Sequence, residues 1–377
     1  MPTPTPSDAV ADLGDPLVAV QTPALVVDLD VMEANIEEYA TVAEEHGVSL
    51  RSHVKTHKVP ALARRQDERT GGGIVCQTLS EAETMAHAGL EDIYLSYMVV
   101  GDRKLDRFVA LSEAVERLVT TVDGPGNLRP LQEAAAARGA TVEAVLEVDL
   151  GLNRVGVPPE EALGLAELVR DQPNVDLAGV MAYEAHVKAE AETREDYERL
   201  CHEAMEETRG VVENLEAAGI PVREVKVGGT ATSKFSAMHP VVTEINPGMH
   251  PFNDVGEMEA RPFEVSTDDC AARVLTSVIS APDGDRAVCD AGSKSIARDS
   301  SRPPIPADRD DLTYVNASEE HGWLDTAEVD GGLAVGDRLS FVPPHVCTTV
   351  NLHDTMVGVR DGRVEAVWNV AARGKVR

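Results

Sequence analysis

The sequence predicts a (β/α)8 TIM-type barrel followed by a β-rich domain, and three observations predict it. Over roughly residues 22–250, short apolar runs alternate with amphipathic helical patterns about seven or eight times, the signature of parallel β/α units that close into a barrel. No GxGxxG follows the first strand, which weakens an open dinucleotide-binding sheet. After about residue 262 the helical patterns give way to β-rich pieces parted by Asp/Gly turns. The length of 377 residues, 43% hydrophobic, exceeds the roughly 250–300 residues at which single cores stop growing.

The elements follow in order. Residues 1–20 form a Pro/Thr-rich tail with neither a basic segment nor an apolar one, so it is not a signal peptide. "ALVVDLD" is read as the first barrel strand and "VMEANIEEYATVAEEHG" as its helix. "GVSL" opens another buried strand and runs into "RSHVKTHK". Then come "GGIVCQT", "DIYLSY", "RLVTTVD", "VEAVLEVDL" and "LAGVMAY", each followed by a helical stretch rich in Ala, Glu, Leu and Arg, and finally "EVKVGG" and "EINPG". The barrel is placed at 21–260. "AARVLTSVIS", "DRAVCDAG", "DRLSFVPPHVCTTVNL", "TMVGVRDG" and "VEAVWNV" make up the β-rich domain at 261–377.

Asp and Glu total 65 against 34 Lys and Arg, a net charge of -31, and only eight of the cations are lysine. Such a surface suits high salt, an ordinary acidic cytoplasmic enzyme being the plainer alternative, and it disfavours nucleic acid and anionic membranes as partners. The five cysteines are scattered without CxxC pairing, which fits a reducing, cytoplasmic compartment. No apolar run reaches the roughly 18 residues of a membrane span.

Cations gather at "RSHVKTHK", residues 51–58. On a strand Arg51, His53 and Lys55 share a face, and at a barrel strand end they would line the C-terminal mouth, where barrel active sites lie. Neighbouring cations and desolvation lower a lysine's pKa and free its amine; a solvated basic strand end is the plainer alternative. "VKVGGTATS" puts Gly228, Gly229 and Thr230 at another strand end, either an anion nest or a tight turn. In "PPHVCTTVNLHD", His345 and Cys347 would share a strand face. From spacing alone this is a weak signal for a zinc pair, and a buried structural cysteine is the better reading.

"TPALVVDLDVMEANI" followed by "RSHVKTHK" resembles the start of the fold-type III pyridoxal phosphate (PLP) enzymes. More narrowly, the chain resembles the D-threonine aldolase and D-serine dehydratase family, relatives of alanine racemase, from about residue 20 to its end. The resemblance implies that Lys55 forms the Schiff base with PLP, with His53 beside it in the catalytic group. It implies that Arg154 of "EVDLGLNRVGV" approaches the cofactor's phenolic oxygen and that Tyr183 and His186 of "MAYEAH" line the cofactor. Gly228, Gly229 and Thr230, with Gly248 and His250 of "NPGMH", would hold the phosphate; relatives often have Asn-Tyr where this chain has Met249 and His250. Gln77 and Thr78 would sit at the pocket rim. His345 and Cys347 would bind a divalent metal, zinc first, manganese or magnesium as alternatives, leaving positions open for water and substrate. His353, six residues beyond Cys347, is set apart from the pair. The implied activity is a lyase of D-3-hydroxy amino acids, with the cysteine favouring a D-serine dehydratase over a D-threonine aldolase. An amino-acid racemase needs no metal, and non-catalytic PLP-binding relatives are barrel-only chains. A homodimer is implied by the same resemblance.

Overall fold

The computed structural model of the chain describes residues 10–282 and 284–377. It contains two compact units, Ile36–His250 with Gly374–Arg377, and the residues up to Asn35 with Pro251–Arg373.

In the first unit the parallel ladder runs from Ser49–Leu50 through Glu244–Ile245, Glu224–Val227, Val175–Ala182, Val142–Val148, Arg117–Val122, Asp92–Leu95 and Ile74–Cys76 to Ser52–His53. The two ends are halves of one stretch interrupted at Arg51. The first half pairs with Glu244–Ile245 and the second with Ile74–Cys76, and the Arg51 N–H donates to Ile245 O at 3.0 Å. The sheet therefore closes as an eight-stranded (β/α)8 barrel. Val75, Tyr94, Val119, Val145, Ala178 and Met181, from five adjacent strands, form one buried cluster, as expected for alternate inward positions. Charges inside the barrel are paired: Arg51 Nε with Glu244 at 3.0 Å, Arg51 Nη1 with Asp92 at 2.8 Å, and Lys226 Nζ with Glu244 at 2.8 Å.

In the second unit Ala24–Asp28 runs antiparallel to Ala272–Ser280 and parallel to Thr355–Arg360. This differs from the expectation that "ALVVDLD" opens the barrel. Its buried residues pack as Val20, Ala24 and Val26 against Leu275, Val357 and Val364. A short strand with four apolar residues in a row carries no mark of the sheet it joins, and the barrel's first strand is instead 49–53. The last four residues belong with the barrel, where Ser80 N–H donates to Arg377 O at 2.8 Å. All five cysteines are free. No helix among the described residues is long and apolar enough to cross a membrane.

Candidate active site

Lys55 follows the first barrel strand directly and is half-buried. Its Nζ lies 3.5 Å from Gln77 Oε1, which also receives His53 Nε2 at 3.1 Å. Gln77 Nε2 donates to Ser96 O at 2.8 Å, which fixes the amide with its oxygen toward Lys55. The Lys55 N–H faces His53 Nδ1 at 3.4 Å, so His53 carries its proton on Nε2. Burial, and then the charge of Lys55, push His53 well below the usual imidazole range. His53 is thus a neutral residue that positions Gln77 and Lys55.

The other cations of the octapeptide are anchored elsewhere. Arg51 belongs to the barrel-interior ion pairs and His57 Nε2 meets Gln66 Oε1 at 3.0 Å. Lys58, with φ of 56°, pairs with the buried Glu81, whose second oxygen accepts the Gln77 N–H at 2.8 Å. Thr78 caps the helix Leu79–His87 by accepting from Glu81 N–H.

The expected phosphate end is a cluster. The N–H groups of Gly248 and Met249 converge on Thr230 Oγ1 at 3.2 and 2.8 Å. A Cβ at Gly248 would lie 3.3 Å from His53 Cβ, His53 O and Thr56 Oγ1. Gly229 has φ of +140°, and a Cβ there would come 3.1 Å from the Tyr183 ring, so only glycine suits this position. Gly228 differs from expectation: its N–H donates to Glu184 Oε2 at 3.3 Å, within the protein. His250 is fully buried. Its ring lies 4.8 Å from that of Tyr39, and the Tyr39 hydroxyl donates to Thr230 O at 2.6 Å.

Arg154 lies over the Tyr183 ring, 5.1 Å from its centroid. Near it, burial pushes the Glu147 carboxyl up to about 7, with the Arg154 charge opposing. His186 immediately precedes the short helix Val187–Glu190, and its Nδ1 is buried and hydrogen-bonds to none of the described residues. These residues fit PLP in two respects: glycines stand where side chains would crowd, and one half-buried amine lies in the same unit.

The second unit brings His345 and Cys347 together, although not on a strand. His345 precedes the helix Val346–Val350, so Cys347 is its second residue. The Val346 N–H donates to the buried Asp254 at 2.8 Å, and this long-range cap overrides the strand preference of a β-branched stretch. The hydrogen bond with Cys347 raises the His345 imidazole to about 9; burial opposes it and Asp299 adds to it. His345 Nδ1 is 2.6 Å from Asp299 Oδ2, which also accepts the Thr348 hydroxyl at 2.7 Å. An imidazole, a thiol and a carboxylate behind the imidazole fit a metal pair with an orienting partner. His353 bonds Ser295 O at 2.8 Å instead.

Sequence reading missed Glu184, Tyr39 and Asp299. Asp299 closes "CDAGSKSIARD" and Glu184 lies inside "MAYEAH", so each sits in a conspicuous segment, but only the three-dimensional pairing reveals its role.

A lysine at the end of the first strand of a closed barrel, with glycine-lined strand ends in the same unit, defines a PLP enzyme on an alanine racemase-type scaffold. Comparison narrows this. Residues 27–252 match the family "Alanine racemase, N-terminal domain" and residues 271–359 match "Putative serine dehydratase domain". The D-threonine aldolase of Arthrobacter sp. is 37% identical, over 97% of this chain and 96% of that protein. The crystal structure of D-threonine aldolase from Filomicrobium marinum is 35% identical with a TM-score of 0.90, covering 98% of this chain and 100% of that one. D-threo-3-hydroxyaspartate dehydratase from Delftia sp. HT23 is 27% identical with a TM-score of 0.84, over 94% and 98% of the two chains; a cysteine-to-alanine variant of it is known in a metal-free form. The chain belongs to the D-threonine aldolase and D-serine dehydratase family and is a PLP-dependent lyase.

Proposed function

We propose that the chain is a PLP- and divalent-metal-dependent lyase of D-3-hydroxy amino acids that cleaves the Cα–Cβ bond, giving glycine and an aldehyde. The observation that carries a lyase rather than a racemase is the His345–Cys347 pair with Asp299 behind it. A racemase has no use for a Lewis acid, whereas a substrate with a β-oxygen does. The retro-aldol direction rests on full-length likeness to D-threonine aldolases.

Bound PLP supplies an electron sink for the pair left at Cα. Lys55 would hold the cofactor, with Gln77 and the neutral His53 fixing the direction of its amine. A phosphate would take the Gly248 and Met249 N–H groups over from Thr230 Oγ1, where they now donate, and Arg154 over Tyr183 would supply a cation beside the ring. His345 and Cys347 would hold the divalent ion, zinc by donor softness. The β-hydroxyl proton must leave as the Cα–Cβ bond breaks, and a proton must return to Cα. We assign its removal to His186, whose buried Nδ1 is uncommitted among the described residues. D-amino acids are the substrates in this reading, with the pocket completed in a homodimer.

Cys347 favours a second reading, β-elimination to a keto acid and ammonia, in which Lys55 takes the Cα proton. The test is incubation with D-threonine and identification of products. Glycine with acetaldehyde is expected. 2-Oxobutanoate with ammonia would overturn the retro-aldol choice, and L-allo-threonine alone, the product of inversion at Cα, would overturn the lyase. Chelation should suppress turnover while the visible absorbance of bound PLP persists.

A further inference from the structure

The helix Arg194–Ala217 begins with a capping box made by Thr193 and Asp196. On it His202 and Glu206 lie four residues apart, on one face and one turn from each other. The chain returns to this face after the short helix Ser233–Ser236, where His239 is buried. One ligand atom from each of His202, Glu206 and His239 lies within 4.8 Å of the others. His239 Nε2 is 2.8 Å from Glu206 Oε1, and the His202 and His239 ring centroids are 5.2 Å apart. The Val241 N–H donates to His239 Nδ1 at 3.2 Å, so Nε2 is the nitrogen turned toward the cluster. Arg209 holds the other side of Glu206, with Nη2 on Oε2 at 2.6 Å and Nε 3.3 Å from Oε1.

We propose that His202, Glu206 and His239 form a second divalent-metal site, separate from His345 and Cys347, that takes a borderline transition ion such as Zn(II), Co(II) or Ni(II). Two imidazoles and one carboxylate select these ions over calcium or magnesium, which favour all-oxygen shells. Three protein ligands leave a fourth position for water. On binding, the His239 proton passes from Nε2 to Nδ1 by way of solvent, so that the neutral ring coordinates through Nε2; the Val241 N–H then leaves Nδ1, and Glu206 Oε1 exchanges a hydrogen bond for a metal bond. Arg209 stays on Oε2 and orients the carboxylate, as outer partners of metal ligands do. Exposed Glu203 and Glu207 on the same helix add negative potential for a cation.

The site has a structural consequence. His239 ends the segment that starts at Gly229, whose carbonyl accepts the Ser233 N–H at 2.9 Å. In that segment the Ser236 hydroxyl donates to Glu184 at 2.6 Å, and Glu184 also holds the Gly228 N–H. An ion at His239 ties the segment to the long helix and stiffens the loop that carries Thr230.

The experiment uses the full-length, PLP-loaded protein carrying His345→Ala and Cys347→Ala, so that the first pair binds nothing. Titration with Co(II) alone should show uptake of about one equivalent, with d–d absorbance and no thiolate charge-transfer band. Adding His202→Ala, at an exposed position that leaves the fold intact by circular dichroism, should weaken Co(II) binding at least about tenfold, the scale on which even outer partners act. Glu206→Gln should do the same. A background protein that takes up no Co(II), or uptake that His202→Ala leaves unchanged, overturns the proposal.

Discussion

Glu147 offers a sharp test of how the barrel handles charge. It lies in the strand Val142–Val148 and is 5% exposed. The segment after it folds back over the strand end: Val157 N–H donates to Glu147 O at 3.0 Å, and Asp149 N–H to Val157 O at 2.9 Å. Enclosed in this way, the carboxyl is pushed from 4.5 to about 7, chiefly by desolvation. A raised carboxyl pKa means that the folded protein binds more protons than the unfolded chain between these values. The associated stability is fully present below pH 4.5 and is lost as pH rises through 7. At about 1.4 kcal/mol per unit, the ionised carboxylate costs the fold about 3 kcal/mol above pH 8. Glu147→Gln keeps the shape and removes the ionisation. Urea unfolding should show the variant gaining on the wild type by about 3 kcal/mol between pH 4.5 and pH 8. A variant whose stability relative to wild type is the same at both pH values, or falls at pH 8, would refute the reasoning.

Three further outcomes are expected. Gly248→Ala should lower PLP affinity in an absorbance titration and cost about 1–3 kcal/mol of stability, because the new methyl meets His53 and Thr56 at 3.3 Å; unchanged affinity would remove close packing at Gly248 from cofactor binding. Asp299→Ala should weaken metal binding by about 10–100-fold with PLP binding intact, since it frees His345 from the carboxylate that orients it; an equal metal affinity would make Asp299 a bystander. With a net charge of -31, the melting temperature should rise between 0.1 and 2 M KCl, as the Debye length shrinks from about 10 Å to below about 3 Å; a fall would rule out a surface suited to high salt.

What was legible in the sequence is what local pattern encodes. Period and length gave parallel β/α units, and turn-rich alternation gave the β unit. The parts that were not legible depend on partners far along the chain. Ala24–Asp28 has the texture of a barrel strand, yet its partners lie at 272–280 and 355–360. "HVCTTV" is rich in β-branched residues and reads as a strand, yet Asp254, more than 90 residues away, caps it as a helix. Asp299 and Glu184 were in view as letters, but their roles are distances to His345 and Gly228 that no spacing rule supplies.

The cationic octapeptide shows how the fold converts composition into chemistry. Five basic side chains within eight residues would repel one another if left together. The fold disperses them instead. Arg51 goes to Glu244 and Asp92, His57 to Gln66 and Lys58 to Glu81. His53 is buried and held neutral against Gln77. Each such pairing with a buried charge is costly to break, about 3–5 kcal/mol when one partner is removed, so these positions serve the architecture. Lys55 is the half-buried member, reaching Gln77 at the long distance of 3.5 Å. A half-buried amine in a frame of firmly held neighbours can exchange one bond for another without unfolding anything, which a lysine that both carries a cofactor and releases it to substrate must do. Loss of Lys58 or Glu81 should therefore unsettle the fold and the Gln77 backbone first, while loss of Lys55 should remove the chemistry and leave the barrel standing.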